Sequence, residues 1–314
     1  MTRVVFFGTP LFAAEVLDFL FANEVNIVAI ISKPDRAKGR TKTPSATPVK
    51  ITALKHANIP LYQPEVVSDP SFASTLKELN PDLFVVVAYG EIIKQHLLDM
   101  PHLGCINLHA SLLPKYRGAA PIQRSIIQGE SETGVTIMHM VRKMDAGDMI
   151  HTVKIPIGPE TNFGEVEQTL CDVGKEALLY VIQKIPLGNL SQTPQDHSLA
   201  TLAPKIELEE CEIDWQLSAQ AIHDLVRGVN PYPGAWCWIL FRGVRKRLKI
   251  NRTRILFHPH QKPGKILNPD HLNANLIVAA ADNALELLEV QLEGRKLMSS
   301  AEFMRGTTRD QLQF

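Results

Sequence analysis

Short, continuously apolar runs alternate with helical patterns through the first part of this chain, and this alternation restricts its fold more than any other feature. The apolar runs cover residues 4–7, 27–31, 83–87 and 105–108. Helical patterns lie between or after them, at residues 49–57, 70–79 and 122–128. Strands that are apolar on both faces and alternate with helices are typical of a covered, parallel sheet. The sequence therefore predicts a doubly wound α/β domain with a mostly parallel sheet.

The next segments depart from this alternation. Residues 135–139 and 149–157 look like strands, and only a short link without a helical pattern joins them. They predict an antiparallel addition at one edge of the sheet, followed by a closing helix over residues 163–185. Residues 187–202 contain few apolar residues and are typical of a linker.

The C-terminal part has a different pattern, with one helical segment at residues 219–227 and then short β-type runs. These runs cover residues 235–241, 248–255, 264–267, 276–280 and 284–291. Short strands separated by turn residues predict a small barrel. A length of 314 residues also fits two domains. We predict a first domain over 1–189, a linker over 190–205 and a second domain over 206–314.

Charge and cysteine content exclude several classes. The formal net charge is zero, so a nucleic-acid partner requires a local basic patch. The four cysteines form no Cys-x-x-Cys pair, which argues against a zinc ribbon or a disulfide framework and favours buried, reduced thiols. The sequence shows neither a signal-peptide core nor an apolar run long enough to span a membrane. We expect a soluble, cytoplasmic protein.

The first strand-to-helix junction carries Gly8, Thr9 and Pro10. Such a junction can bind an anion at the helix N-terminus, but a plain tight turn is the favoured explanation. The Gly-x-Gly-x-x-Gly and Walker patterns are both missing from the sequence. Chemistry that depends on NAD or ATP therefore loses support.

Polar residues gather at the end of the fourth apolar run. Asn107 and His109 are two positions apart, so strand alternation places both side chains on one face. Open α/β sheets bind their ligands at the carboxyl ends of strands. An acidic partner could come from the turn between the two later strands, where spacing alone does not separate Asp145 from Asp148.

Two segments, residues 106–123 and 144–148, closely resemble the active-site signature of formyltransferases that use 10-formyltetrahydrofolate. Shorter matches to that family extend along the chain, at residues 7–10, 33–36, 39–40, 81–82, 88–90, 203–206, 213–215 and 230–236. The chain is similar to this family over nearly its whole length, and especially to the members that formylate methionyl-tRNA. The resemblance implies a Rossmann-like formyltransferase domain followed by an OB-like barrel.

The resemblance also implies roles for individual residues. Asn107, His109 and Asp145 match the family's catalytic triplet, and Asp145 is expected to orient the imidazole. The implied reaction is acyl transfer from 10-formyltetrahydrofolate, in which Asn107 and His109 stabilise the developing oxyanion. No covalent enzyme intermediate and no metal are needed, and His258 and His260 lack further ligands nearby. The residues implied for folate binding are Ser111, Leu112, Leu113, Pro114, Tyr89 and Gly90.

Two basic segments are candidates for binding the phosphates of a charged initiator tRNA. One lies in a loop over residues 33–50. The other covers residues 242–254, where basic residues alternate along a predicted barrel strand and its flanking turn. OB folds commonly bind nucleic acid, and a basic stripe supplies salt-sensitive affinity. The tryptophans at 215, 236 and 238 are expected in the barrel core. The expected tRNA-binding residues are Arg40, Lys38, Lys42, Arg245, Lys246, Arg247 and Lys249.

Two alternatives remain at this stage. A folate-dependent formyltransferase that acts on a small amine, such as glycinamide ribonucleotide or an amino sugar, shares the triplet and the folate site. The basic C-terminal barrel argues against it. A nucleic-acid-binding module with a degenerate enzyme domain is the other alternative, and the intact triplet argues against that. We expect a monomer without membrane partners.

Overall fold

The computed structural model describes residues 1–37, 43–56, 58–259, 261–267, 275–305 and 312–314. Within these residues the chain divides into two compact units. The first comprises residues 1–118, 133–155 and 167–203, and the second comprises residues 119–132, 156–166 and 204–314. Two segments inside the predicted first domain, 119–132 and 156–166, thus group with the second unit. The predicted limits at 189 and 206 stay predictions.

Strands of the first unit account for most of the predicted apolar runs. They are β1 (Val4–Gly8), β2 (Ile27–Ile31), β3 (Arg36–Ala37), β4 (Pro44–Ser45), β5 (Leu61–Tyr62), β6 (Leu83–Val87), β7 (Cys105–His109), β8 (Arg117–Gly118), β9 (Glu132–His139), β10 (Met149–Pro156) and β11 (Leu202–Ala203). Every residue of β1 and β6 is buried, as expected for strands covered on both faces.

The main sheet has the order β10-β9-β7-β6-β1-β2-β5. Pairing from β7 through β6, β1 and β2 to β5 is parallel. Strand β9 is antiparallel to β7, and β10 lies beyond it at the edge. The predicted fold class is confirmed: the sheet is mostly parallel and has an antiparallel addition at one side.

Helices begin where the sequence supplies caps. Thr47 and Asp69 cap two helices through their side chains, and a proline follows each of them at the first helical position. Ser218 caps a third helix by accepting a hydrogen bond from Ala221 N. The helices are α1 (Leu11–Ala22), α2 (Pro48–Ala53), α3 (Pro70–Glu78), α4 (Gln95–Leu98), α5 (Pro121–Ile127), α6 (Phe163–Lys184), α7 (Ala219–Gly228) and α8 (Ser300–Arg305).

The segment that the sequence favours as a linker is hydrogen-bonded to the first unit. Thr193 forms an antiparallel bridge with Met149 at the start of β10. Further along, β11 pairs in parallel with β8. Few apolar residues are needed here, because backbone pairing rather than an apolar face holds the segment in place.

The second unit is built on an antiparallel sheet of β12 (Ala235–Phe241), β13 (Val244–Leu256), β14 (Ile277–Ala279), β15 (Ala284–Leu292), β16 (Met298–Ser299) and β17 (Leu312–Gln313). Its path runs β14-β15-β13-β12-β17, with β16 paired to β15. The predicted run over 264–267 does not form a regular strand, but its backbone pairs with β14 through the Ile266–Val278 bridge and hydrogen bonds that include Leu267 N to Ile277 O at 2.9 Å. Tryptophans 215 and 236 lie in this unit's core, and Trp238 packs against it half-buried.

Strand β13 begins four residues earlier than the sequence predicts, and the cause is a tight hairpin. Arg242 and Gly243 both have positive φ, at 52° and 73°. A two-residue turn with two positive φ values matches the twist of the flanking strands and allows pairing to start at once. Phe241 therefore pairs directly with Val244.

The cysteines are buried free thiols, in line with the sequence prediction. Burial raises the pKa of Cys171 to about 12 and that of Cys211 to about 11, which keeps both thiols protonated at neutral pH. Among the described residues, no helix has both the length and the apolar character needed to cross a membrane.

Candidate active site

The site is built at the carboxyl end of β7. In the pairing of β7 with β9, Asn107 lies opposite Met138 and His109 lies opposite Thr136. The two residues are two positions apart on the strand, so both side chains project from the same face. Asn107 is half-buried, and the side chain of His109 is 6% exposed. An amide and an imidazole therefore lie on one face at the end of β7, the strand where the sheet changes from parallel to antiparallel pairing.

Asp145 reaches this pair from the turn between β9 and β10. Its backbone is left-handed, with φ of 48°. The carboxylate Oδ2 lies 3.7 Å from His109 Nδ1 and accepts a hydrogen bond of 2.8 Å from Gly118 N. The structure thus brings Asp145 next to the imidazole, a choice that residue spacing left open. Asp148 interacts electrostatically with His139 instead. Burial lowers the pKa of His139, and the Asp148 carboxylate offsets part of that effect.

Both ring nitrogens of His109 face oxygen acceptors. Nε2 lies 2.9 Å from the carbonyl oxygen of Tyr116, and Nδ1 faces Asp145 at 3.7 Å. The Tyr116 carbonyl is within hydrogen-bond distance of the ring, whereas the Asp145 carboxylate is within ion-pair distance only.

The Asn107 amide is uncommitted. Within the described ranges, no hydrogen bond to the side chain of Asn107 is formed. Since its NH₂ group carries two donors and lies beside His109, it is available to an oxygen of a bound substrate.

The loop after β7 is fixed by its own polar groups. The Ser111 hydroxyl is fully buried and donates to Lys115 O at 2.8 Å. Thr136 Oγ1 donates to Ser111 O at 2.7 Å, and the Leu113–Pro114 peptide is cis. Of the folate-binding residues implied by the resemblance, Ser111 therefore uses its hydroxyl internally. Leu112 and Pro114 are half-buried beside it, and Leu113 is buried.

Tyr89 and Gly90 follow β6, the strand next to β7. The Tyr89 ring is 2% exposed and packs in the core, with its centroid 5.7 Å from that of Phe7. Its carbonyl accepts a hydrogen bond of 2.8 Å from the Thr9 hydroxyl. Gly90 has a φ of 85° and faces open space. At these two positions only the backbone and Gly90 can line a folate pocket, while the tyrosine ring supports the strand end. Thr9 thus braces this end of β6, and Gly8 packs tightly on Ala13.

Glycine is required at position 118, because another segment of the backbone approaches closely there. Its φ is 131°, and a Cβ at this position would lie 2.6 Å from the carbonyl oxygen of Ala203. This close approach lets the Gly118 amide reach the carboxylate of Asp145.

Two buried polar residues behind the site were not recognised from the sequence. Arg117 is 4% exposed and Gln195 is 6% exposed, and their side chains are hydrogen-bonded to each other. Arg117 lies in the segment 106–123 that carries the family resemblance. Nothing in the linker-like composition around Gln195 indicates a contact with a residue so distant in the chain.

The basic stripe of the second unit forms on β13. Arg245, Arg247 and Lys249 alternate on one face opposite Leu240, Trp238 and Trp236 of β12. The Arg245 guanidinium lies 4.3 Å from the Trp238 ring centroid, and the Arg247 guanidinium lies 4.2 Å from that of Trp236. Lys246 alternates to the opposite face, the one that buries Leu248 and Ile250. Three of the four expected residues in this strand therefore share one surface.

The other basic segment is described only at its ends. Strands β3 and β4 pair as an antiparallel stem. Lys33 pairs with Glu91 at 2.5 Å, and Lys50 pairs with Asp35 at 2.6 Å. The Lys50 and Gln63 side chains lower the pKa of Asp35 by hydrogen bonding to its carboxylate. The expected tRNA contacts at Lys38, Arg40 and Lys42 lie outside the described residues.

Two family models match the chain. A family model described as "Formyl transferase" matches residues 2–182, and one described as "Formyl transferase, C-terminal domain" matches residues 205–308. The chain belongs to the formyl transferase family. Within the described part of this formyl transferase, no group of three or more His, Cys, Asp or Glu side chains is arranged to hold a metal ion.

Individual relatives are similar over the whole chain. "Methionyl-tRNA formyltransferase" of Protochlamydia amoebophila is 63% identical over 99% of this chain and 97% of its own length. Methionyl-tRNA formyltransferase from Clostridium thermocellum superposes with a TM-score of 0.56 at 17% identity, over 85% of this chain and 96% of its own. HypX from Aquifex aeolicus, solved in complex with tetrahydrofolic acid, gives a TM-score of 0.62 at 17% identity, over 98% of this chain and 48% of its own. The two solved structures support the shared fold.

Proposed function

We propose that this formyl transferase moves the formyl group of 10-formyltetrahydrofolate to the α-amine of methionyl-tRNA, giving formylmethionyl-tRNA and tetrahydrofolate. The observation that carries the proposal is the convergence of Asn107, His109 and Asp145 at the end of β7, with 3.7 Å between His109 Nδ1 and Asp145 Oδ2. The 63% identical relative named for this activity supports the choice of substrate.

The donor set of the site fits a folate that carries a one-carbon unit. The Asn107 amide is uncommitted among the described residues, and Gly90 leaves open space at the end of the next strand. The proposed folate site uses Leu112, Leu113, Pro114 and Gly90 together with the backbone at Ser111 and Tyr89. When bound, the folate supplies the formyl group as an activated acyl donor.

The side chains divide the work of acyl transfer. As the methionine nitrogen bonds to the formyl carbon and the bond to the folate nitrogen breaks, negative charge develops on the acyl oxygen. Asn107 Nδ2 and the His109 ring supply hydrogen-bond donors to that oxygen, and one such donor is commonly worth about 3 kcal/mol of barrier. Donation from His109 Nε2 requires the ring to exchange its present contact with Tyr116 O.

Asp145 acts on the proton balance of the reaction. The attacking amine loses one proton, and the leaving folate nitrogen gains one. A carboxylate beside the imidazole stabilises the cationic ring and can accept the amine proton directly or through water. A left-handed residue at the tip of a turn suits this role, because its carboxylate is 14% exposed while its backbone is fixed.

The charged tRNA is proposed to bind the second unit through Arg245, Arg247 and Lys249. Arg247 and Lys249 line a recess of about 370 Å³ together with Trp238 and Gln291. Phosphate contacts from such a stripe supply affinity that is independent of base sequence and weakens with salt. Arg40, in the loop over residues 33–50, is the further contact we propose from the sequence. As an enzyme of translation initiation, the protein is proposed to act in the cytoplasm.

One assay tests the substrate choice. Purified protein receives 10-formyltetrahydrofolate and initiator tRNA charged with methionine, and the product is hydrolysed and analysed for formylmethionine. Parallel reactions contain glycinamide ribonucleotide or an amino sugar nucleotide as the amine. Formylation of the tRNA alone supports the proposal, whereas formylation of a small amine without that of tRNA contradicts it.

A further inference from the structure

Asp145 needs external support to keep its position. Non-glycine residues occupy the left-handed region at a cost of about 1–2 kcal/mol, so the surrounding contacts must hold them there. Its carboxylate is fixed by one backbone amide, that of Gly118. The peptide carbonyls around it accept hydrogen bonds from a residue far along the chain, Gln195.

The Gln195 amide holds the turn by its backbone. Its Nε2 donates to Asp145 O at 2.9 Å and to Gly147 O at 2.7 Å. These two bonds use both N–H groups of the amide and bracket the residue that carries the carboxylate. Gly147 allows the turn to lie close to β9, since a Cβ there would clash with His139 O at 1.9 Å.

Arg117 fixes the orientation of that amide. Its Nε and Nη2 donate to Gln195 Oε1 at 3.1 and 2.6 Å, and Nη2 also contacts His197 Nδ1 at 2.9 Å. A guanidinium can only donate and peptide carbonyls can only accept, so the amide oxygen must face Arg117 and its nitrogen must face the turn. A flipped amide would lose all four bonds.

The same segment also holds the loop on the other side of His109. Thr201 O accepts from Arg117 N at 2.9 Å, and Thr201 Oγ1 accepts from Tyr116 N at 2.8 Å. Tyr116 supplies the carbonyl that contacts His109 Nε2, and Gly118 supplies the amide that contacts Asp145. Residues 193–203 thus connect the two loops whose oxygens face the two nitrogens of the imidazole.

We propose that Gln195 and Arg117 are positioning residues that set Asp145 against His109. Neither side chain contacts the His109 ring, and both act through the Asp145 turn. This inference rests on the proposed function for its effect on turnover, but the placement of Asp145 can be tested without any substrate. The cluster of Arg117, Gln195 and the carbonyls of Asp145 and Gly147 is called the Gln195 clamp below.

The test compares Gln195→Met with Gln192→Met. Methionine has a similar length and no amide, so Gln195→Met removes the clamp while filling the space. Gln192 is an exposed glutamine in the same segment and serves as the matched control. We expect Gln195→Met to lower kcat about 10- to 100-fold, since a misplacement of about 1 Å remote from the chemistry can cost that much. KM for both substrates should change less than about threefold, and Gln192→Met should match the unsubstituted protein.

A second readout reports on His109 directly. Nitrogen-15 spectra of the histidine side chains, with His109 assigned from His109→Asn, measure the ring's protonation and hydrogen bonding in the free enzyme. Gln195→Met should move the His109 signals in the direction seen for Asp145→Asn. Should Gln195→Met fold poorly, Arg117→Lys replaces it, because lysine keeps the charge but lacks the planar fork. Arg117→Lys should move the His109 signals in the same direction. The Arg117→Lys, Gln195→Met double variant should be no slower than the worse single variant, because both act through one contact.

The outcomes separate the clamp from the proposed function. Unchanged turnover, or lost turnover with unchanged His109 signals, would overturn the role of Gln195. A protein that formylates no charged tRNA but whose His109 signals still depend on Gln195 would remove the proposed function and leave the positioning role in place.

Discussion

His109 Nδ1 and Asp145 Oδ2 lie 3.7 Å apart, within the range of an ion pair and beyond that of a direct hydrogen bond. The Tyr116 carbonyl holds the opposite nitrogen of the same ring. The imidazole is therefore held from both sides before substrate arrives, and its Nε2 must exchange the Tyr116 carbonyl for the acyl oxygen to act as a donor.

Asp145→Asn should lower turnover by about 10²- to 10⁴-fold while the protein remains folded, because the amide cannot stabilise the cationic ring or accept a proton. Gly118 N can still donate to the remaining side-chain oxygen, so the loop keeps its contact. The measurement is kcat for formylation of charged initiator tRNA. Asp148→Asn is the control, since this carboxylate acts on His139. Equal losses in the two variants would argue against a specific role for Asp145.

Gly118→Ala should damage both stability and turnover. The new Cβ meets the Ala203 carbonyl at 2.6 Å in a left-handed backbone, so the loop must shift and withdraw its amide from Asp145. We expect a loss of about 2–4 kcal/mol in the free energy of unfolding. Gly188→Ala is the matched comparison, because Gly188 has φ of 66° but open space around it. It should lose only about 1 kcal/mol and keep full turnover. Similar losses for both glycines would contradict the close packing at Gly118.

Arg245→Met should weaken binding of charged tRNA without changing the KM for the folate. Methionine keeps an apolar cover on the Trp238 ring, which the guanidinium now contacts at 4.3 Å, so the sheet should stay intact. The slope of log affinity against log salt should fall by about 1 for the lost phosphate contact. Arg254→Met is the control, because its guanidinium already pairs with Glu286 at 3.3 Å. An unchanged salt slope in Arg245→Met would place the tRNA elsewhere.

Glu167→Gln should stabilise the protein at neutral pH. Burial and the neighbouring Glu15 raise the pKa of Glu167 above its ordinary value of 4.5. Between these two pKa values the folded state binds more protons than the unfolded state, so stability falls as pH rises through this window. The substitution removes that loss, and Tm at pH 7 should rise by about 1–3 °C.

At pH 4 the gain from Glu167→Gln should shrink, because the carboxyl is then largely protonated in both states. Glu176→Gln, at an exposed position of the same helix, should change Tm little at either pH. A gain of equal size at both pH values would show that charge on Glu167 is not the cause.

Local patterns predicted most of the α/β fold. Strands β1, β2, β6 and β7 begin where their apolar runs begin, because each run is buried on both faces and bounded by turns. In the second unit, the early start of β13 depends on the positive φ of Arg242. An arginine in the sequence does not predict that conformation. The run over 264–267 contains only two apolar residues and pairs with β14 without forming a regular strand.

Local sequence patterns predicted only part of the candidate site. Alternation along β7 places Asn107 and His109 together, whereas Asp145 could be preferred over Asp148 only by family resemblance. The Gln195 clamp was not predicted, since its bonds join positions far apart in the chain and its segment looks like a linker. Contacts of this kind depend on the assembled fold and leave no periodic signal.

The central claim is that the Asn107, His109 and Asp145 site transfers a formyl group to charged initiator tRNA. Its most direct test compares the initial rate of formylmethionyl-tRNA formation by His109→Ala with that of the unsubstituted protein, both with 10-formyltetrahydrofolate. A Tm close to that of the unsubstituted protein shows that the variant is folded. We predict a rate lower by about 10²-fold or more, because both the donor and the partner of Asp145 are lost. A near-normal rate for the folded variant would contradict the account.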